Sequence, residues 1–140
     1  MKKFEFIDIT TSDVAFKAYG KDLSELFANA GLALFEVIVN TSKVEPKTVE
    51  HVILHDSDLK ALMFDWLNHL IYLVDAKNLA FSEFDVKVRE KNHELEGDIK
   101  GELIDQAKHE TKTHVKACTY HKMDIRKTKD GWVAQVILDI

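Results

Sequence analysis

The sequence predicts an α+β fold: two helices pack on a largely antiparallel or mixed β-sheet, within a single domain spanning residues 1–140. Two stretches in the first half of the chain carry apolar residues at helical spacing. Most of the second half alternates between apolar and polar residues, as half-buried strands do. The length of 140 residues suits one hydrophobic core, because domains of roughly 100–150 residues are the commonest.

Both predicted helices have recognisable boundaries. The first is predicted to start at Asp22, which stands three residues before Glu25 and can cap the first turn. The second is predicted from about Asp56 or Ser57 to Lys77 and is apolar over more than half of its circumference. Its polar side chains form one narrow stripe, which consists of Asp65, Asn68, Tyr72 and Asp75.

Period-two alternation predicts the remaining elements as strands. They cover residues 4–8, 14–18, 48–55, 84–88, 95–103, 114–127 and 132–138, and residues 104–113 form a polar connection. Gly20 is expected to end the second strand, and residues 91–93 are expected to form a turn. The last strand is apolar on both faces, so we expect it to lie in the centre of the sheet.

Composition excludes several classes of protein. Nineteen basic against twenty-four acidic residues give a net charge of −5, which argues against direct, high-affinity nucleic-acid binding. The single cysteine, Cys118, excludes an internal disulfide and fits a reducing compartment. Asp8 and Asp13 interrupt the apolar N-terminus before a signal-peptide core forms, and residues 61–74 are shorter than the roughly 20 residues of a membrane span. The chain is therefore expected to be soluble and cytoplasmic, without a membrane partner.

Standard catalytic motifs are missing from the sequence, including phosphate-binding glycine loops, a nucleophile elbow and paired cysteines. Cys118 shares a strand face with His114 rather than with His121, so we expect a small buried residue and not a nucleophile. His51 and His55 would suit zinc on a helix, but on a strand their Cβ atoms lie ~13 Å apart. The seven histidines are expected to be scattered over the surface.

Carboxylates at two distant positions are the more informative polar groups. Asp13 begins a strand, and Asp139 ends the last strand next to Ile140, whose α-carboxylate is expected to add a second negative group. Crowded carboxylates repel unless a proton or a hard cation such as Ca²⁺, Mg²⁺ or Mn²⁺ neutralises them. The alternative is a solvated aspartate and a frayed terminus, because spacing alone does not bring Asp13 and Asp139 together.

Several short segments, in order along the whole chain, carry a family resemblance. They are Ser12-Asp13-Val14 with Ala18-Tyr19-Gly20, Ala30-Gly31-Leu32-Ala33-Leu34-Phe35, Asp65-Trp66-Leu67-Asn68 with Leu70-Ile71-Tyr72-Leu73, Val115-Lys116-Ala117 with Thr119-Tyr120-His121, and Ile137-Leu138-Asp139-Ile140. Together these segments resemble the archease family. One departure concerns the first motif, which usually reads H-T-A-D-V-G in the family: Thr10 replaces the histidine, whereas Asp13 is kept.

The resemblance implies a non-enzymatic cofactor protein for the RtcB-type tRNA-splicing and RNA-repair ligase, which uses GTP and Mn²⁺. It implies that the protein promotes guanylylation of the ligase and its multiple turnover. It also implies a divalent-metal site (Ca, Mg or Mn) at Asp13, Asp139 and Ile140, with Lys116 tied to activation. We add Asp65 as a residue of the same pocket or of a partner groove. His121 is grouped with Lys116 and Asp65 as a residue of the partner contact, and we expect it to be a hydrogen-bonded structural histidine.

Two other functions remain open at this point. The resemblance also fits a chaperone-like modulator of an RNA-modifying enzyme such as a tRNA methyltransferase. A small metal-dependent hydrolase or phosphotransferase could use the same carboxylates, although the sequence offers no paired nucleophile and base.

Overall fold

The computed structural model describes residues 2–140, and the α+β prediction is confirmed in that part of the chain. Its helices are α1 (Leu23–Ile38), α2 (Leu59–Lys77) and the four-residue α3 (Gln106–His109). Its strands are β1 (Phe4–Ile7), β2 (Val14–Gly20), β3 (Thr48–His55), β4 (Leu79–Arg89), β5 (Glu94–Leu103), β6 (Ala117–Thr128) and β7 (Gly131–Asp139). Gly20 is the last residue of β2, which confirms the prediction that it ends the second strand.

Side-chain caps fix where the two long helices begin. The Asp22 carboxylate accepts the Glu25 backbone N–H at 2.9 Å, as the sequence predicted for α1. The second helix starts later than predicted because Asp58 is its cap and accepts the backbone N–H of Ala61 at 2.8 Å. Asn78 ends this helix in the left-handed conformation, with a φ of 56°.

The strands form two antiparallel sheets, whereas the sequence predicted one. Sheet A has the order β1-β2-β7-β6, and sheet B has the order β3-β5-β4. β7 is central in sheet A, which confirms the prediction drawn from its two apolar faces. The single-sheet prediction fails because alternation shows which face of a strand is buried and does not show which strand is its neighbour.

Close packing of α1 against both sheets defines the core. The helix contacts β2 of sheet A and β4 of sheet B. Gly31 makes the second contact possible, since a Cβ at this position would lie 3.0 Å from the Phe84 ring and 3.2 Å from the Trp66 ring. The Trp66 indole is fully buried and donates its N–H to the Phe27 carbonyl at 2.9 Å, which joins α2 to α1.

A pronounced bulge interrupts the pairing of β6 with β7. Thr119 pairs with Ile137 and Asp124 with Gln135, so the four residues 120–123 of β6 stand opposite Val136 alone. Lys122 in this bulge has a φ of 53°. The regular strand predicted over residues 114–127 is therefore shorter at its start and broken in its middle.

None of the helices in residues 2–140 has the length and apolarity needed to cross a membrane.

Candidate functional site

The register of sheet A brings together four of the six residues singled out from the sequence. Val14, the first residue of β2, pairs with Leu138, so Asp13 lies at the same end of sheet A as Asp139. On the other side of β7, the Lys116 backbone N–H donates to the Asp139 carbonyl at 2.8 Å. Lys116 thus stands beside Ile140, and all four residues lie at one end of sheet A. We call Asp13, Asp139, Ile140 and Lys116 the strand-end group.

The two aspartates of the strand-end group are partly buried. Within residues 2–140, no basic side chain forms an ion pair with Asp13 or Asp139. No set of three or more His, Cys, Asp and Glu side chains in that range is arranged to hold a metal ion. The donors present are two carboxylates and the main-chain oxygens of Ile140. Such oxygens suit Ca²⁺, Mg²⁺ or Mn²⁺ better than zinc.

Asn68 fixes the start of β6, which directly follows Lys116. Its side-chain amide accepts the Cys118 backbone N–H at 2.9 Å and donates to the Cys118 carbonyl at 3.2 Å. Cys118 pairs with Leu138, the residue before Asp139. This two-point contact ties α2 to an edge strand immediately before the bulge. The sequence placed Asn68 in a polar helix stripe and gave no sign of this contact, because an amide can serve either solvent or a strand.

Asp65 belongs to a different group of side chains at the start of α2. Burial and the neighbouring Asp65 carboxylate raise the pKa of Asp56 to about 6. The Tyr120 ring stacks on the Phe64 ring with 4.2 Å between centroids, and burial and the neighbouring aspartates raise its pKa. Tyr120 lies four residues after Lys116, or ~13 Å along an extended chain. One partner surface of ordinary size can therefore cover both groups.

His121 follows Tyr120 in the bulge and differs from the expectation. Its side chain is exposed, and the structure of residues 2–140 gives it no hydrogen-bond partner. The predicted hydrogen-bonded structural histidine is therefore wrong at this position. The reason is the bulge, which carries the chain away from β7 between Thr119 and Asp124 and turns this side chain to solvent.

A buried histidine occurs instead at His109, which the sequence placed on the surface. It is fully buried, its Nδ1 accepts the Asp105 backbone N–H at 2.9 Å, and its Nε2 donates to Glu102 at 2.8 Å. Glu102 also accepts the Glu45 backbone N–H and the Lys108 ammonium, and these contacts lower its pKa to about 2. The predicted surface distribution of histidines fails here because α3 lies in a connection that lacks helical periodicity.

The remaining candidates for chemistry are structural. Cys118 is buried, and burial raises the pKa of its thiol to about 12, so it is not a reactive nucleophile. His51 lies on β3, as predicted, and its ring contacts Asp98 at 2.7 Å and Glu96 at 3.2 Å.

The chain is similar in sequence to known proteins along its length. Residues 4–140 match the Archease protein family (MTH1598/TM1083). Proteins named archease from Sulfurisphaera tokodaii and Pyrococcus abyssi are 43% and 42% identical, each over 100% of both chains.

Two solved structures are similar as well. The solution structure of protein 1598 from Methanobacterium thermoautotrophicum has a TM-score of 0.86 and 43% identity, with complete coverage of both chains. A crystal structure from Thermotoga maritima, described as an archease and possible chaperone, has a TM-score of 0.66. At 22% identity over 94% of this chain and 93% of that chain, it supports the fold alone. By sequence profile, full-length identity and fold, the chain belongs to the archease family.

Proposed function

We propose that this protein is a non-enzymatic, metal-binding activator of a GTP- and Mn²⁺-dependent RtcB-type RNA ligase in tRNA splicing and RNA repair. It promotes guanylylation of the ligase and lets the ligase turn over repeatedly. The proposal combines membership of the archease family with the chemistry of the strand-end group. It also agrees with a net charge of −5, since a protein that contacts the ligase rather than the RNA needs no basic surface.

The observation that carries the proposal is the pairing of β2 with β7. We place the carboxylates of Asp13 and Asp139 face to face where this pairing ends; both residues are partly buried, and neither forms an ion pair within residues 2–140. Opposed carboxylates lower the stability of a fold unless a cation neutralises them. A divalent cation held here supplies positive charge that can offset phosphate charge during nucleotidyl transfer.

Each residue of the strand-end group then has a defined task. Asp13 and Asp139 provide carboxylate oxygens, and Ile140 provides main-chain oxygens. Lys116 is exposed and stands beside them with its backbone N–H bonded to Asp139. Its ammonium is free to contact a carboxylate or triphosphate of the ligase complex, because the structure of residues 2–140 gives it no ion pair. Asp65 and the exposed His121 extend the contact surface along α2 and β6.

The decisive experiment measures GTP-dependent guanylylation of the matching ligase with catalytic amounts of this protein. Wild-type protein should accelerate both guanylylation and multiple-turnover ligation. Asp13→Asn and Asp139→Asn should each lose most of this effect while keeping the circular dichroism spectrum and a cooperative thermal transition. Asp8→Asn is the matched control, since Asp8 is exposed and lies in the segment that leads to the strand-end group. Full acceleration by an Asp13→Asn/Asp139→Asn double variant would refute the proposal.

A second candidate is a chaperone-like modulator of a tRNA-modifying enzyme such as a methyltransferase. This candidate takes up the description of the Thermotoga maritima neighbour as a possible chaperone. In this case the protein should suppress aggregation of the enzyme or change its RNA specificity while guanylylation of the ligase stays unchanged. Phosphate release from nucleotides by the protein alone, abolished by a chelator, would instead indicate the metal-dependent hydrolase.

A further inference from the structure

The outer edge of sheet B is long, regular and unprotected. β3 has eight residues, and within residues 2–140 it pairs only with β5, so one row of its backbone groups lacks a strand partner. The pairing with β5 runs from Thr48 to His55 without a bulge. Natural edge strands are normally shortened, bulged or covered with charge, because an open edge recruits another strand. β3 is neither shortened nor bulged, and its exposed face carries no Lys, Arg, Asp or Glu.

Two apolar side chains stand on the exposed face of this edge. Val49 is 57% exposed and Ile53 is 62% exposed, and His51 lies midway between them on the same face. The charged residue in β3, Glu50, points to the other face and pairs with Lys77 at 3.0 Å. The exposed face of the edge therefore carries an apolar side chain on each side of the His51 imidazole, an arrangement that is symmetric about His51.

This sequence of side chains is complementary to itself. In an antiparallel pair of two β3 strands centred on His51, Val49 of each copy stands opposite Ile53 of the other. A shift of two residues in either direction pairs one apolar residue with His51 and leaves the rest unmatched. A shift of one residue sets inward-facing side chains against outward-facing ones. The centred register alone covers both apolar side chains in both copies.

Charges beside the edge favour the same register. Val49 pairs with Lys100 on β5, and Ile53 pairs with Glu96. In the centred arrangement, one line of neighbouring side chains therefore runs across both copies. It starts at Lys100 and Val49 of one copy and continues through Ile53 to Glu96 of the other, so its two ends carry opposite charges. Each His51 ring at the two-fold axis is already held by its own Asp98 and Glu96. The two rings thus meet with their counter-charges in place.

We propose that β3 is a self-association edge, through which two copies of this chain join their B sheets into one six-stranded antiparallel sheet. The interface is isologous, with the two-fold axis at His51. It is a small, reversible interface, and it lies on a different sheet from the strand-end group. The proposal is therefore independent of the proposed function.

Sedimentation of the wild-type protein tests the association, over roughly 10 µM to 1 mM, a range that covers the dissociation constants expected of small interfaces. The mass should rise from monomer to dimer across this range. Ile53→Lys should raise the dissociation constant by about tenfold or more, because it puts a charge opposite Val49 of the second copy. Leu103→Lys is the matched control: Leu103 is 63% exposed but lies outside β3, so this variant should associate like the wild type.

Disulfide trapping tests the register. A Val49→Cys variant mixed with an Ile53→Cys variant should form a disulfide-linked pair under mild oxidation. Val49→Cys alone should not, because in the centred register its two copies are four residues out of step, or ~13 Å, beyond disulfide reach. A monomer at every concentration, a dimer that Ile53→Lys leaves unchanged, or crosslinking by Val49→Cys alone would each overturn the proposal.

Discussion

Replacing one aspartate of the strand-end group should raise stability without metal and lower it with metal. Directly opposed residues of an antiparallel pair have Cα atoms about 4.5–5.5 Å apart. For two carboxylates about 6 Å apart in a solvent-like dielectric constant of about 80, the repulsion is about 0.7 kcal/mol, and this is the value that the proposed site assigns to Asp13 and Asp139. Asp13→Asn removes this repulsion, so in chelator it should increase the free energy of unfolding by about 0.5–1 kcal/mol.

The effect of a bound cation has the opposite sign. A divalent ion at about 100 times its dissociation constant stabilises the wild-type fold by about 2.7 kcal/mol. Asp13→Asn removes one of the two carboxylates and should lose most of this gain. The order of stability of the two proteins therefore inverts between chelator and metal.

Thermal unfolding followed by circular dichroism, with chelator and with Ca²⁺ or Mn²⁺, measures both effects. Asp8→Asn should behave like the wild type in both conditions, since Asp8 is exposed and has no opposed carboxylate in the register of sheet A. A solvated, independent Asp13 predicts no inversion. If Asp13→Asn destabilises the protein in chelator, or gains as much from metal as the wild type does, the assignment of facing carboxylates is wrong.

Three further variants and one labelling experiment test other parts of the structure. Glu102→Gln should cost about 2–3 kcal/mol, because the buried His109 N–H loses a charged acceptor. Since the folded-state pKa of Glu102 is lowered to about 2, the deficit should be complete above about pH 5 and disappear as the pH falls towards 2 in urea titrations. Asn68→Ala should cost about 1–3 kcal/mol and accelerate hydrogen exchange of the Cys118 amide. Trp66→Phe should cost about 1–3 kcal/mol in urea unfolding, because a buried carbonyl of α1 loses its donor. Iodoacetamide should leave the buried Cys118 unmodified until urea unfolds the chain.

Local patterns predicted the local structure well. Asp22 caps α1 as its spacing from Glu25 indicated, because capping depends on residues within one turn. β7 is central because apolar residues on both faces require cover on both sides. The cap of α2 was misplaced since Asp56, Ser57 and Asp58 can all serve as caps, and only the packing of the helix selects among them.

Long-range pairings lie outside what a single sequence contains. The division into two sheets, and the neighbours of each strand, depend on which strands pair across long stretches of chain. The contact of Asn68 with the Cys118 backbone is of this kind, and so is the burial of His109 against Glu102. The sequence identified Asp13 and Asp139 as candidates by their chemistry and by resemblance. Their juxtaposition follows from the register of β2 with β7.

The central position of β7 also has a kinetic consequence. β3, β4 and β5 are consecutive strands between Thr48 and Leu103, with α2 between the first two, so sheet B can assemble within one continuous segment of the chain. Sheet A needs β7 to insert between β2 and β6, and its pairing with β2 joins nearly opposite ends of the described chain. Closure of such a non-local pair is entropically slow, so sheet A should complete after sheet B during folding. The strand-end group therefore comes into existence in the last step of folding, and a partly folded chain cannot present it to a partner.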